Sequence, residues 1–385
     1  MLRSYKFRLY PSKDQAILLD KHIGCCRWVY NWALGFRIKA WQAEKKKIGS
    51  FELIKMLPAL KKQEETAWLK EVSSASLQAV LPDLEKAYAN FFAGAGFPKF
   101  KSKHRSKLSF HYPSAIKIDF EARYVVLPKF DKPIKTRGLT KFDGVARSST
   151  ISKSASGKYF CAVLVDDQKP LPAKAEVTEQ GTLGLDLGLT HFAILSDGTK
   201  IENPRKLKWS LKKLAKLQRR HARKQKGSKN RNKARIKVAR CHERVRNQRL
   251  DFLHKLSTKL IRENQAVAVE DLAVKNMVRN HCLARSISDA SWGEFVRQLK
   301  YKAEWQGKTV LQIGRFEPSS KLCTCGVINR KLTLADRQWT CSSCGTTHDR
   351  DILAANNIKR MGLHQIDSNL VPPVRRELTL AESAC

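Results

Sequence analysis

Three short apolar stretches constrain this chain more than anything else in it: TLGLDLG, AVAVEDL and TVLQIGRF, beginning at Thr182, Ala266 and Thr309. Each is too short for a helix and is bounded by turn or charged residues, so each reads as a largely buried strand. Helical patterns lie between them, including SWGEFVRQLKYKAEWQ just before the third. Strands alternating with helices from residue 182 onward predict an α/β layer domain. HFAILSDGTKIE comes directly after the first stretch, and its Ser196-Asp197-Gly198 turn signal predicts that the domain opens with three consecutive strands.

Two of these strands carry a carboxylate where a charge is expensive to bury. Asp186 lies inside LGLDLG and Glu270 ends AVAVE, while Asp351 stands in HDRDILAANNI, where a helix should begin. Each has an ordinary structural explanation taken alone. Asp186 could close a turn, Glu270 or Asp271 could cap the segment after its strand, and Asp351 is an N-terminal helix acid favoured by the helix dipole. Together they read differently, because strand-end carboxylates of one α/β sheet can converge on a point outside its edge. Three anions there repel one another unless cations intervene. Two magnesium or manganese ions about 3.5–4 Å apart would resolve the repulsion, and such a pair cleaves phosphodiesters in line.

The charge balance points to a matching substrate. Across 385 residues, 74 lysines and arginines face 35 acids, a formal net charge of +39, so polyanions are the expected partners. Nucleic acid ranks above a membrane, since no stretch resembles a lipid anchor, a signal peptide or a membrane span. A soluble cytoplasmic protein is the expectation. Residues 205–262 read as a basic helical hairpin almost without acids, which would repel itself unless a polyanion neutralised it. Lys212, Lys213, Arg219, Arg220, Arg223, Arg244, Arg246 and Arg249 are its candidate nucleic-acid contacts. The aromatics Trp292, Phe295, Tyr301 and Trp305 fit a core stripe better than a base-stacking platform.

Four of the ten cysteines cluster, as LCTCG and TCSSCG. Cys323, Cys325, Cys341 and Cys344 thus form two close pairs, each followed by glycine, as a zinc site needs. The first pair is C-x-C, one residue shorter than the usual knuckle, and His348 is a substitute ligand should one of its cysteines fall short. A loop of reduced thiols is the alternative. Cys25, Cys26, Cys161, Cys241, Cys282 and Cys385 do not cluster and read as ordinary reduced thiols.

The first half has a different texture. YKFRLYP alternates as a half-buried strand, and Ser12 with Gln15 predicts a capping box opening a helix. Helical spacing continues to about residue 92, with Pro82 marking a kink or boundary in SSASLQAVLPDLEKAYANFF. AIKIDF, YVVLPKF and KYFCAVLVDD then predict a small antiparallel sheet or barrel, which the first strand could join, leaving the helices as an insertion. From Met361 the sequence shows no sustained periodicity and predicts a poorly ordered tail.

These motifs, in this order, resemble the TnpB (OrfB) proteins of insertion sequences, RuvC-like nucleases related to type V CRISPR effectors. The likeness runs through YKFRLYPSKDQ, GCCRWVYNWAL, FPKFKSK, LGLDLG, RNQRLDFLHKLST, VEDLAVKNMVRN, PSSKLCTCG, WTCSSCG and HDRDILAANNI, and stops before the C-terminal tail. It implies an RNA-guided DNA endonuclease with a guide RNA transcribed from the transposon end. Such a protein reads a short motif beside its double-stranded DNA target, and base pairing reads the rest. The family's RuvC acids fall on Asp186, Glu270 and Asp351, with Mg2+ or Mn2+ as cofactor, and its Zn2+ ribbon falls on the four clustered cysteines. The implied layout is a wedge-like β domain (1–10 plus 110–178), a helical recognition domain (11–109) with Gln78 as a candidate duplex contact, and a RuvC-like nuclease domain (179–360). The nuclease domain contains the basic hairpin and a zinc ribbon at 318–347, and 361–385 is the tail. There are three departures: the C-x-C pair, Pro82 in a helix usually uninterrupted, and Leu353 where the family commonly has asparagine, which would weaken support of Asp351. A nuclease-silent RNA-guided repressor or transposition regulator is the alternative function. A DNA-strand transferase is disfavoured for want of a tyrosine or serine nucleophile motif.

Overall fold

The computed structural model describes residues 1–370 apart from Phe316 and Leu334. The chain divides into two compact units, Met1–Pro170 and a second starting at Leu171. The first is built on strand β1 (Leu2–Tyr10), which buries Phe7 and Leu9 and turns Lys6 and Arg8 outward. Five helical segments come next, before the chain returns to the same sheet. They are α1 (Lys13–Glu44), α2 (Ser50–Lys62), a 3-10 segment Glu64–Glu71, α3 (Ser74–Gln78) and α4 (Val80–Phe92). The capping box opens α1 as expected: the Gln15 amide donates to Ser12 Oγ at 3.2 Å and the Ser12 amide to Gln15 Oε1 at 2.9 Å.

The helix boundary expected at Pro82 falls earlier, at Ala79, between α3 and α4. Pro82 sits in the first turn of α4, where its missing N–H has no intrahelical partner to lose. The sheet is completed by β2 (Ser109–Tyr112), β3 (Lys117–Asp119), β4 (Tyr124–Val126), β5 (Ile134–Arg137), β6 (Val145–Lys153) and β7 (Tyr159–Asp166). Its order is β2-β6-β7-β1-β5-β4-β3, every neighbouring pair antiparallel. The helices are therefore an insertion between the central strand and the rest. Among the described residues the end strands β2 and β3 do not pair, so the sheet is open where a closed barrel was one expectation.

In the second unit, β8 (Thr182–Leu187), β9 (His191–Leu195) and β10 (Lys200–Glu202) form the antiparallel run foreseen around the Asp197-Gly198 turn. β11 (Ala266–Glu270) then adds parallel to β8, and β12 (Thr309–Ile313) parallel to β11, giving the order β10-β9-β8-β11-β12. Helices α5 (Lys206–Ala222) and α6 (Lys229–Glu263) make the basic hairpin; α7 (Val274–Met277), α8 (Ala284–Ala290) and α9 (Trp292–Trp305) link β11 to β12. Leu183, Leu185, Val267 and Val269 pack on one sheet face against Leu253, Leu260, Phe295 and Leu299 of α6 and α9. Strands β13 (Gln338–Thr340) and β14 (Thr347–Asp349) lead into α10 (Arg350–Leu370), which covers the opposite face.

Two expected boundaries move. Residues 171–178 belong with the second unit, because the Ala175 amide donates to the Gly307 carbonyl at 2.7 Å and Thr178 Oγ1 donates to Gln265 Oε1 at 2.8 Å. The tail expected from Met361 is helical to Leu370: Ile358, Met361 and Ile366 pack onto Ala266, Ala268 and Leu311. Residues 371–385 of that tail lie outside the described residues.

Candidate active site, cysteine cluster and basic hairpin

Strand alternation and one close helix approach bring the three acids together. Any Cβ on Gly184 would collide with the Ala355 carbonyl oxygen, so α10 lies directly on β8 there. Two residues further along the strand, about 6.6 Å, Asp186 occupies the same face. One turn back along α10, about 5.4 Å, is Asp351. On β11, Ala268 faces α10, since a Cβ on Gly362 would lie 3.0 Å from the Ala268 methyl. Glu270 shares that face, and extending the register Val269↔Leu185 by one residue sets it level with Asp186. The neighbouring Asp271 is committed elsewhere, accepting from Gln312 Nε2 at 2.9 Å and Arg315 Nη2 at 2.7 Å.

The electrostatics register this convergence. Burial, then the charges of Asp351 and Glu270, push the Asp186 carboxyl up to about 7, against weaker opposition from Arg350 and the Leu187 amide. Burial, then Asp271, raises Glu270. Asp351 has Arg337 Nη1 at 3.5 Å. The four cysteine sulfurs, and not these carboxylates, are the group among the described residues whose ligand atoms all close to within 4.8 Å of one another. Hard carboxylate oxygens brought together at a partly buried strand end are a donor set suited to magnesium or manganese.

The raised Asp186 has a thermodynamic consequence. A carboxyl whose folded-state pKa lies above its unfolded value binds protons better when folded, so metal-free protein loses stability as pH rises from about 4 to about 7. The ceiling is about 4 kcal/mol, reduced to about 1–2 kcal/mol because the half-buried site is partly screened by solvent. Asp186→Asn is expected to remove this loss. In magnesium-free buffer its thermal midpoint should exceed that of the wild type at pH 8 and match it near pH 4. Equal midpoints at pH 8 would contradict the assignment.

The cysteines form a second centre. Cys323 and Cys344 lie 3.6 Å apart and Cys325 and Cys341 3.7 Å apart. Zn–S bonds of about 2.3 Å in a tetrahedron give S···S edges of about 3.8 Å, so the four sulfurs fit a zinc ion. The short C-x-C pair still closes: the Cys323 amide donates to the Val327 carbonyl, the Gly326 amide to the Cys323 carbonyl, and Gly326 takes φ 92°. The second knuckle closes likewise, with Gly345 at φ 71°. Both cysteines of the first pair reach, so His348 is not needed as a substitute. It is buried, with Nε2 3.1 Å from Cys323 Sγ and its ring against Trp339. The Thr346 hydroxyl and amide hold Cys344 down at about 6, and the amides of Cys344 and Ser343 lower Cys341. Against the pull of the Val327 amide, contact with Cys323 and the other sulfurs drives Cys325 up to about 12, as when a second or third thiolate must form without a cation.

Asp349, Asp351 and Leu353 divide three tasks. Asp349 Oδ1 accepts from the amides of Asp351 (3.0 Å) and Ile352 (3.2 Å), capping α10, and Oδ2 accepts from Lys200 Nζ at 2.9 Å. Although burial opposes it, these contacts hold Asp349 below the usual carboxylate range. Leu353 is buried with Cys323, Cys341, Leu332 and Trp339, so it packs on the cysteine cluster instead of supporting Asp351. Asn357 Nδ2 ties α10 to the same insert through the carbonyls of Ser319 (2.7 Å) and Leu322 (2.6 Å). Leu353→Asn is therefore expected to cost about 2–4 kcal/mol through lost packing and a buried amide. It should speed zinc loss without raising nuclease activity; a gain in activity would contradict this placement.

On the basic hairpin, Lys212, Lys213, Arg219, Arg220, Arg223, Arg244 and Arg246 are exposed. Arg249 is not available in the same way: its Nη2 donates to Asp289 Oδ1 at 2.8 Å, and Asp289 Oδ2 also accepts from the Leu207 amide, pinning both helices to α8. Gln78 is exposed at the end of α3 in the first unit. Trp292 and Phe295 are core residues, as expected, and Tyr301 pairs edge-on with Trp305 at 4.7 Å.

Comparison with known proteins adds a lineage to this geometry. A Streptomyces pristinaespiralis protein named "Putative RNA-guided DNA endonuclease" is 43% identical, the match covering 94% of this chain and 89% of the relative. The chain belongs to the TnpB (OrfB) family. InsQ of Escherichia coli (strain K12), which carries the same designation, is 34% identical over 94% of the chain and 92% of its own length. Within the TnpB chain, residues 160–281 match the OrfB_IS605 family, "Probable transposase", and residues 292–358 the "Cas12f1-like, TNB domain". Residues 1–46 match the OrfB_IS605 "Helix-turn-helix domain", although they hold one strand and one long helix. In fold, this TnpB chain resembles the protein of a Cas12f1-sgRNA-target DNA complex (TM-score 0.54, 15% identity, 90% of this chain and 83% of that one). It also resembles the mini-RNA-guided endonuclease CRISPR-Cas_phi3 (TM-score 0.51, 10% identity, 94% and 92%).

Proposed function

We propose that this TnpB-family chain is an RNA-guided DNA endonuclease encoded by a mobile element. The observation that carries the reading is the convergence of Asp186, Glu270 and Asp351 on one face of the second unit's sheet, with Asp186 raised by burial and then by the charges of the other two. Bound divalent ions would activate water and stabilise the attacking and leaving oxygens of an in-line phosphodiester displacement. The three carboxylates would serve as ligands of those ions and not as bases, and the ions' positive charge would relieve the crowding that raises Asp186. The guide RNA and the heteroduplex it forms with target DNA are held by their phosphates on the exposed cations of α5 and α6. A short element-adjacent motif is read in duplex DNA, with Gln78 and its neighbours as candidate contacts. Cys323, Cys325, Cys341 and Cys344 hold a structural zinc that fixes the start of α10 and so the position of Asp351.

No helix among the described residues is long and apolar enough to cross a membrane, and the excess of 39 positive charges suits a nucleic-acid partner. The nuclease-silent alternative drew support from Leu353, and the burial of that residue against the cysteine cluster removes it. Purification from cells carrying the native flanking DNA tests the guide. One RNA species from the transposon end, running into the flanking sequence, is expected; a mixture of unrelated cellular RNAs would contradict the proposal.

A further inference from the structure

Between α5 and α6 runs an open groove of about 630 Å3, outside the acid site and the cysteine cluster. One stripe of each helix lines it: Lys206, Trp209 and Lys213 recur at helical spacing on α5, and Lys237, Arg240 and Arg244 on α6. No carboxylate is among the lining residues. Trp209 is 82% exposed, the most exposed large hydrophobic side chain among the described residues. Among the described residues no ring stacks on it, and no acceptor takes its indole N–H. An isolated exposed aromatic is unremarkable; one ringed by five cations in a concave groove has the makings of a nucleotide site. The cations suit phosphates, and the bare indole face suits a base that is not already stacked in a helix.

We infer that this groove takes an unpaired nucleotide, with its base stacked on Trp209 and its flanking phosphates on Lys213, Arg240 and Arg244. The inference rests on the proposed nucleic-acid binding but not on nuclease activity. A duplex keeps its base faces covered and would engage the cations alone. The site therefore gives the basic hairpin a preference for single-stranded segments that charge by itself does not supply.

The test uses the full chain and short labelled single-stranded RNA, single-stranded DNA and duplex DNA, with affinity measured against salt. Trp209→Ala is expected to weaken single-strand binding about tenfold, leaving duplex affinity and the salt slope unchanged because no charge is lost. Trp209→Phe should retain most of the affinity, and Lys213→Ala should flatten the slope for all three ligands. Photo-crosslinking in the assembled guide complex then separates the sources: a Trp209-dependent crosslink to 4-thiouridine assigns the nucleotide to the guide, and one to a 5-iodouracil-labelled strand assigns it to DNA. Unchanged single-strand affinity in Trp209→Ala, or equal loss for single strands and duplex, would overturn the inference. Failure of the wild-type protein to bind any nucleic acid would instead overturn the proposed function.

Discussion

Asp186→Ala is expected to lower guided DNA cutting at least about a thousandfold while guide and matched target bind within about twofold of wild type. The separation of effects comes from where the residue sits. Its side chain ends a strand whose neighbours Leu183 and Leu185 supply the packing, and its charge is opposed by Asp351 and Glu270. Truncation therefore removes a ligand and a repulsion without opening the core. The hairpin cations assigned to phosphate binding belong to the α5–α6 hairpin, and α6 packs on the sheet face opposite the one that α10 covers. Parallel measurement of cleavage and of target occupancy by the same preparation decides the matter. Loss of guide binding in the variant would mean that Asp186 has a structural task that the geometry does not reveal.

The second large effect concerns the cysteines. Replacing Cys341, which is buried and 3.7 Å from Cys325, by serine should release the zinc and melt both knuckles. Binding at such sites is worth about 10–16 kcal/mol in small zinc domains. β14 runs straight into α10, Asp349 caps that helix, and Leu353 and Asn357 anchor it to the knuckles, so the damage reaches Asp351. Cutting should fall by about a hundredfold or more, together with loss of one zinc per chain by colorimetric release. Cys282→Ser, at an exposed and unclustered thiol, should change neither quantity. Full cutting by zinc-free protein would contradict the coupling.

Much of the candidate site was legible because it depends on local pattern. Strand alternation puts Asp186 two residues beyond Gly184, and a run of four apolar residues closed by Glu270 fits a central strand. The Ser12 capping box and the Asp197-Gly198 turn are likewise local chemistry. What the sequence concealed depends on tertiary partners. Nothing local distinguishes Asp349, which caps α10 and binds Lys200, from Asp351, which faces Asp186. Arg249 resembles every other hairpin cation until Asp289 takes it from α8. Leu353 read as a missing asparagine near the acids, yet two positions on a helix turn a side chain about 200° around the axis, toward the cysteines. The first ten residues of the expected tail read as patternless because Met361, Gly362 and Ile366 are sparse; a glycine close to Ala268 counts as packing only once the sheet is present.

Guided cleavage by the protein with its co-purified RNA, assayed on a duplex library carrying the matched target, with and without magnesium, tests the central claim most directly. The account predicts cuts that require magnesium, the matched sequence and a fixed short motif beside it, and that vanish with Asp186→Ala. Guide-dependent occupancy of the matched site that leaves the DNA intact in magnesium would contradict it.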